Sequence, residues 1–379
     1  MKSEYKSRVY TNRPDYADLD SPEKFQAIQG IIATRLRQHP NAICSYSGGA
    51  DSDILIDLIE RTRKMFGEGY LPPVKYVFFN TGLEMKTTKD HVKATAEKYG
   101  VEIEEVRPKT NIVKAVREYG IPFLSKRMSR SIHDLQTKKV PISIVTEYNT
   151  SENKPKKFNE IVQRYPKCKS LIRTMCCTDK DGNPVSPSQH SFNSALHLLD
   201  FLNEYPPDFI ISSKCCDYCK KQPAHEVEKG YEMVITGERM SEGGARSEIN
   251  IPDDQGTACF YETSDCKFRF RPLYYVTDED KEWYKDYYGI RYSDAYEVYG
   301  LTRTGCCGCS ISHKAVEDLE KIRPYEPNVV KAAYNLFGKS YEYRRMYNEY
   351  KAIRMAEEKA KKQQDNQQLS LFDEKENKQ

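Results

Sequence analysis

The sequence predicts an α/β protein: a parallel sheet with helices on both faces, with an inserted segment and a helical C-terminal region. Three observations carry this expectation. Short apolar runs alternate with helical patterns between residues 42 and 119. A glycine-rich turn, Ser47-Gly48-Gly49-Ala50-Asp51-Ser52, joins the first such run to the helix after it. The alternation breaks at Ile121-Pro122 and resumes near Pro207, with Tyr231–Thr236 as another buried strand.

Residues 1–24 are polar and read as an irregular N-terminal segment. A helix is expected over Pro22–Gln38, with Ser21 as N-cap and Pro22 at its first position. Strand and helix then alternate as Ala42–Ser47, Asp51–Phe66, Val74–Phe79, Lys86–Tyr99, Val101–Arg107 and Ile112–Tyr119. Residues 126–206 lack this alternation, contain the turn-rich Asp179–Ser188 stretch, and read as a basic insertion. The nucleotide-binding domain is therefore expected over 25–125 and 207–325, a helical region over 326–362, and a disordered tail over 363–379.

The chain has 379 residues, enough for a core domain plus an insertion. It has no apolar run of membrane-spanning length and no signal-peptide pattern, so a cytoplasmic location is expected. In that compartment its twelve cysteines point to metal ligation rather than structural disulfides. Net charge is only +3, yet Lys126–Arg173 holds twelve Lys and Arg against four Asp and Glu. That imbalance fits a polyanionic partner, DNA or RNA, and equally a solvated, mobile surface segment.

A strand, a glycine turn and a helix form a phosphate cradle, because the backbone can approach the anion and the helix start offers N–H groups. Ser47 and Ser52 add hydroxyls, while Asp51 suits helix capping or a metal. The turn lacks the Gly-Lys-Ser/Thr ending of a Walker loop. It resembles the SGGxDS (PP-loop) signature of the ATP-pyrophosphatase superfamily, whose fold is the adenine nucleotide alpha-hydrolase type. Asn80-Thr81-Gly82-Leu83-Glu84, after the second strand, looks like the D/N-T-G-x-E turn of phosphoadenosine phosphosulfate (PAPS) reductases. Gly237-Glu238-Arg239-Met240-Ser241-Glu242 with Arg246 resembles that family's nucleotide-holding segment, and Arg271-Pro272-Leu273 through Tyr299–Cys306 its C-terminal landmarks. The resemblance implies phosphate contacts from Ser47, Gly48, Gly49, Ser52, Arg239 and Arg246. It also places Asn80, Thr81, Gly82 and Gly237 at the nucleotide, and Asp51 at Mg²⁺ or in loop geometry. Asn80 stands where Asp is usual, which weakens a metal role there, and Glu84 is expected to cap a helix.

Cys215-Cys216-x-x-Cys219 and Cys306-Cys307-x-Cys309 lie about ninety residues apart, at spacings that could close on one metal. They resemble the adenylylsulfate (APS) reductase branch. That resemblance implies a [4Fe–4S] cluster on Cys215, Cys216, Cys306 and Cys309, with Cys219 and Cys307 as alternates. A Cys₄ zinc site is the rival. Cys168, Cys176 and Cys177 have no evident fourth ligand, and Cys44, Cys259 and Cys266 read as ordinary thiols.

The reductases attack sulfur with a C-terminal cysteine, but this chain has none after Cys309. The pattern also resembles DNA-phosphorothioation sulfurtransferases and cluster-dependent tRNA thiolases. The expected function is therefore ATP or PAPS/APS binding with sulfur transfer by adenylation, with nucleic acid as a candidate acceptor and the sulfur donor unidentified. The alternatives are PAPS/APS reduction using Cys259, Cys266 or Cys307, and a non-catalytic nucleotide-sensing protein. In the tail, Gln368-Leu369-Ser370-Leu371-Phe372 resembles the bacterial sliding-clamp-binding motif, which implies that clamp as a partner.

Overall fold

The computed structural model describes residues 13–67, 69–186, 192, 197–243, 246, 256–263 and 267–376, with side-chain surroundings up to residue 363. Six strands form one sheet: β1 (Ala42–Ser45), β2 (Lys75–Phe79), β3 (Ile103–Val106), β4 (Met233–Ile235), β5 (Phe260–Glu262) and β6 (Phe268–Phe270). Their order is β3-β2-β1-β4-β6-β5, parallel throughout except for the β5–β6 pair. Ile43 of β1 pairs with Lys75 on one side and Val234 on the other. The order reverses direction between β1 and β4, and parallel sheets take ligands at such a switch point, beyond the carboxyl ends of the strands.

Helices α1 (Ser21–Gln38), α2 (Ala50–Phe66) and α3 (Lys86–Tyr99) follow as the apolar spacing requires. The N-cap of α1 is Asp20, which accepts from the Glu23 N–H at 3.1 Å, not Ser21. Ser21 is the first helical residue, and its hydroxyl donates to Asp280 at 2.7 Å. A carboxylate one residue upstream is the stronger acceptor for the helix N–H groups.

The chain then forms α4 (Ile112–Tyr119), α5 (Lys126–Lys138), α6 (Ile144–Asn149), α7 (Lys154–Arg164), α8 (Lys169–Cys176) and α9 (Leu198–Glu204). Next come α10 (Lys214–Cys216), a π-helical turn over Asp217–Lys221, and α11 (Gln222–Glu228). The last helices are α12 (Asp278–Tyr288), α13 (Asp294–Glu297), α14 (Ala315–Ile322) and α15 (Pro327–Glu376). Residues 363–376, expected to be disordered, thus continue α15; Gln, Lys, Glu and Leu are all good helix formers. The side chains of Gln368–Phe372 lie outside the described residues.

The fold divides into two units. The first holds Met1–Ile112, Cys216–Cys307 and Glu317–Ala332; the second holds Val113–Cys215, Gly308–Val316 and Ala333–Gln379. The segment read as an insertion, 126–206, lies within the second unit. In the first unit, alternate strand residues face opposite sides of the sheet: Cys44, Tyr76, Phe78, Met233 and Ile235 join the core with α1 and α2, while Ile43, Val77 and Val234 form a separate cluster. Lys24 and Asp280 form a buried ion pair at 2.5 Å that ties α1 to α12.

The second unit is helical. Its core joins Met128 and Ile132, Phe158 and Ile161, and Leu171, Ile172 and Met175 to Tyr343 and Tyr347 of α15. The Ser310 and Ser340 hydroxyls both donate to the Pro122 carbonyl at 2.6 Å. Among the described residues, no helix is long and apolar enough to cross a membrane.

Candidate functional site

The site of the first unit assembles at the carboxyl edge of its sheet. The Ser47–Ser52 loop leaves β1 and opens α2, whose N-cap is Gly49. Ser52 organises the loop. Its hydroxyl donates to the Gly49 carbonyl at 2.7 Å and accepts from the Gly49 N–H at 3.0 Å and the Ser47 N–H at 3.3 Å. Gly48 has φ +67°, a left-handed conformation that glycine adopts without penalty. At Gly49 a Cβ would fall 2.9 Å from Thr304 Oγ1, so no side chain fits there without displacement. The Ala50 N–H donates to the Tyr296 hydroxyl at 3.3 Å. A cavity of about 380 Å³ at the start of α2 is lined by Ala50, Asp278, Lys281, Tyr292, Tyr296 and Thr302, among others.

Asp51 and Arg239, which the sequence assigns to different ligands, are paired with each other. Arg239 is buried; its Nε donates to Asp51 at 2.9 Å and its other nitrogens to Asp278 at 2.8 Å, Ser241 at 2.7 Å and the Val276 carbonyl at 3.2 Å. Lys281 adds a second cation 3.5 Å from Asp51. Arg239 thus donates to protein acceptors from each of its nitrogens, holds Asp51, and presents no open fork to an anion. Arg246 is more exposed and pairs with Glu242 at 2.5 Å and Glu238 at 3.8 Å. Gly237 follows β4 against the Asp51 main chain.

After β2, Asn80 accepts from the Gly82 N–H at 2.9 Å, which closes the turn, and its amide donates to Glu105 at 3.2 Å. Glu84 is the hub of this turn. It accepts from the Thr81 hydroxyl at 2.7 Å and from the N–H groups of Gly82 and Leu83 at 3.0 and 3.2 Å. It is not the cap of α3. Glu326 fills that role, accepting from the Lys86 and Thr87 N–H groups at 2.6 and 3.0 Å. Three of the Glu84 carboxylate's roughly four acceptor positions are thus used within its own turn.

The Cys306 segment docks on the same turn. The Thr81 hydroxyl lies 3.4 Å from the Cys306 sulfur, and the Cys307 N–H donates to the Leu83 carbonyl at 2.8 Å. Lys220, which sequence reasoning left without a role, sits on the π-helical turn and hydrogen-bonds Cys306; the Cys306 charge, with Glu84 and Cys216, raises its ammonium to about 12. π turns recur at functional sites, but no local sequence pattern announces them. Cys219 donates to the Thr110 carbonyl at 3.3 Å; burial, then the charges of Cys306 and Cys216, push its thiol up to about 12.

Cys216, Cys219 and Cys306 therefore share one neighbourhood of the first unit, whereas Cys215 and Cys309 belong to the second. Thiol donors suit iron–sulfur clusters and zinc alike. As placed, though, no group of three or more His, Cys, Asp or Glu side chains among the described residues is arranged to hold a metal ion. Cys168, Cys176 and Cys177 are buried in the second unit. Cys259 meets the Tyr16 hydroxyl at 3.0 Å, and burial raises it to about 11. Burial raises Cys307 to about 12. Cys266 lies outside the described residues.

Residues 41–140 match the family model of the phosphoadenosine phosphosulfate reductase domain. The chain thus carries a PAPS reductase-family domain on an α/β fold of parallel strands and flanking helices. Among solved structures it is similar to the PAPS reductase of Candida auris in its phosphate complex, at 15% identity and TM-score 0.36, over 76% of this chain and 93% of that one. It is also similar to the NH3-dependent NAD synthetase of Campylobacter jejuni, at 14% identity and TM-score 0.31, over 86% and 96%. A third similar structure is the U34-tRNA thiolase NcsA of Methanococcus maripaludis with its [4Fe-4S] cluster, at 13% identity and TM-score 0.30, over 86% and 80%. No curated protein matches the chain at a significant level.

Proposed function

We propose that this chain is an ATP-pyrophosphatase-type enzyme that binds ATP or a sulfonucleotide and acts in sulfur transfer, with nucleic acid as acceptor. The observation that carries the reading is the Ser47–Ser52 loop at the start of α2, beside the β1–β4 switch point. There the first N–H groups of the helix lack intrahelical partners and their dipole favours a phosphate. In the proposed first step an acceptor oxygen attacks the α-phosphorus of ATP; the bond to pyrophosphate breaks and an adenylated acceptor forms. A sulfur nucleophile then forms the C–S bond, and AMP leaves with the oxygen. The chain contributes position and charge: the loop N–H groups not already taken by Ser52 and Tyr296, with the Ser47 hydroxyl, at the phosphates, and Asp51 held by Arg239 and Lys281.

Cys216 and Cys306 are the first ligands to test for a [4Fe–4S] centre, with Cys219 beside them; a bound cluster would supply a soft site for a sulfur donor. Sulfonucleotide reduction is less well supported, because Cys259 and Cys307 are buried thiols with raised pKa and make poor nucleophiles. Pyrophosphate release from ATP, measured with DNA or tRNA present, tests the main reading. Release that depends on nucleic acid supports it; sulfite release from PAPS without pyrophosphate formation overturns it.

A further inference from the structure

Several cations of the second unit are committed to its own structure. Lys154 donates to the Tyr148 and Asn149 carbonyls at 3.0 and 2.5 Å. Lys157 pairs with Glu160 at 2.7 Å, and Arg164 with Glu147 at 2.5 Å. Lys138 pairs with Asp134 at 3.0 Å, and Arg173 donates to the Asp179 carbonyl at 3.1 Å. All of these serve the unit's own structure. Lys126, Arg127 and Arg130 do not: they are exposed on the first turns of α5, and no ion pair or side-chain hydrogen bond of theirs is present among the described residues.

The same three side chains line one groove of about 410 Å³ between α5 and α8. Its remaining wall is Ser131, Asp134, Ser170, Leu171 and Thr174. The single carboxylate, Asp134, is already neutralised by Lys138. Three unpaired cations beside hydroxyl-bearing residues match a line of phosphates in charge. Among the described residues no aromatic side chain lines the groove, so they offer no platform on which unpaired bases could stack.

We propose that the α5–α8 groove binds the phosphate backbone of a nucleic-acid duplex through Lys126, Arg127 and Arg130. Contacts of this kind fix register and orientation and carry no sequence information. The proposal shares with the functional reading only the choice of nucleic acid as acceptor, and its test needs no turnover.

The test is fluorescence anisotropy of the full chain with a labelled DNA duplex, a labelled RNA stem and a single strand of equal length, over a range of salt. Two variants remove the same charge. Lys126→Gln/Arg127→Gln/Arg130→Gln empties the groove, and Lys154→Gln/Lys157→Gln/Arg164→Gln removes cations committed elsewhere. The groove variant should lose at least tenfold in duplex affinity. The slope of log K against log salt should flatten by about 3, near 0.9 for each lost phosphate contact on DNA. Arg130→Gln alone should flatten it by about 1. The control should bind within twofold of wild type, and thermal melts establish that every variant is folded. Equal losses in the two triple variants would reduce the effect to net charge and overturn the proposal. So would wild-type binding by the groove variant, binding confined to the single strand, or no salt-dependent binding at all. Pyrophosphate release measured separately keeps such a failure distinct from failure of the adenylation reading.

Discussion

The arginines near the nucleotide loop and the cations on α5 look alike in the sequence but differ in the structure. Arg239 is buried and donates to Asp51, Asp278, Ser241 and a carbonyl, and Arg246 is paired with Glu242. Lys126, Arg127 and Arg130 are exposed and unpaired among the described residues. Charge counting cannot separate these cases. A cation already surrounded by protein acceptors sets geometry, and a cation facing water is available to a partner. The comparison sets Arg239 among the cations held by protein acceptors, and within Lys126–Arg173 it narrows the proposed polyanion surface to the α5–α8 groove.

The extreme of the committed group is Lys24, and it should give the largest effect. Lys24→Met leaves the Asp280 carboxylate buried without its partner and should lower stability by about 3–5 kcal/mol at neutral pH, measured by denaturant unfolding. Burial alone would raise Asp280, but the Lys24 ammonium, the Thr277 N–H and the Ser21 hydroxyl outweigh it and hold the carboxyl below its ordinary 3.8. A depressed carboxyl stabilises the fold above its unfolded pKa, and that contribution is lost as pH falls through the lower folded value. The gap between wild type and variant should therefore narrow below pH 3.8. A gap constant with pH would assign the loss to packing alone.

Arg239→Gln comes next. It breaks two charge-assisted contacts and should weaken ATP binding by about 1.5–3 kcal/mol, measured by calorimetry, because Asp51 loses its anchor. Glu84→Ala should cost about 1–3 kcal/mol of stability, since three donors of the 80–84 turn lose one acceptor. The smallest effect belongs to Arg246→Gln: a stability change within about 0.5 kcal/mol, as exposed pairs contribute little. A large loss there would make exposed Arg246 the equal of buried Arg239 and remove burial as the reason for the difference.

Much of the first unit was legible. The expected bounds of α3, Lys86–Tyr99, are the observed ones, and β1, β2 and β4 lie inside the predicted runs because parallel strands buried on both faces read as continuous apolar segments. The glycine loop was legible because its backbone geometry leaves a residue signature. The second unit was less so. Its helices carry apolar residues at helical spacing, as in Met128 and Ile132, but they are short and were masked by charge. Long-range pairings were out of reach. Arg239 meets Asp51 from 188 residues away, and Glu326 caps α3 from 240. The division of the cysteine pairs between units, after Cys215 and after Cys307, also leaves no local trace.

The central claim is that the Ser47–Ser52 loop holds the phosphates of the nucleotide. Calorimetric titration of ATP, APS and PAPS into wild type and Gly49→Val tests it most directly. A valine Cβ at that position would crowd Thr304 Oγ1 at 2.9 Å and occupy the approach to the start of α2. The account predicts saturable binding of at least one of the three nucleotides by wild type, and its loss in a variant that still melts cooperatively. Unchanged affinity in the folded variant, or a wild type that ignores all three nucleotides, would contradict it.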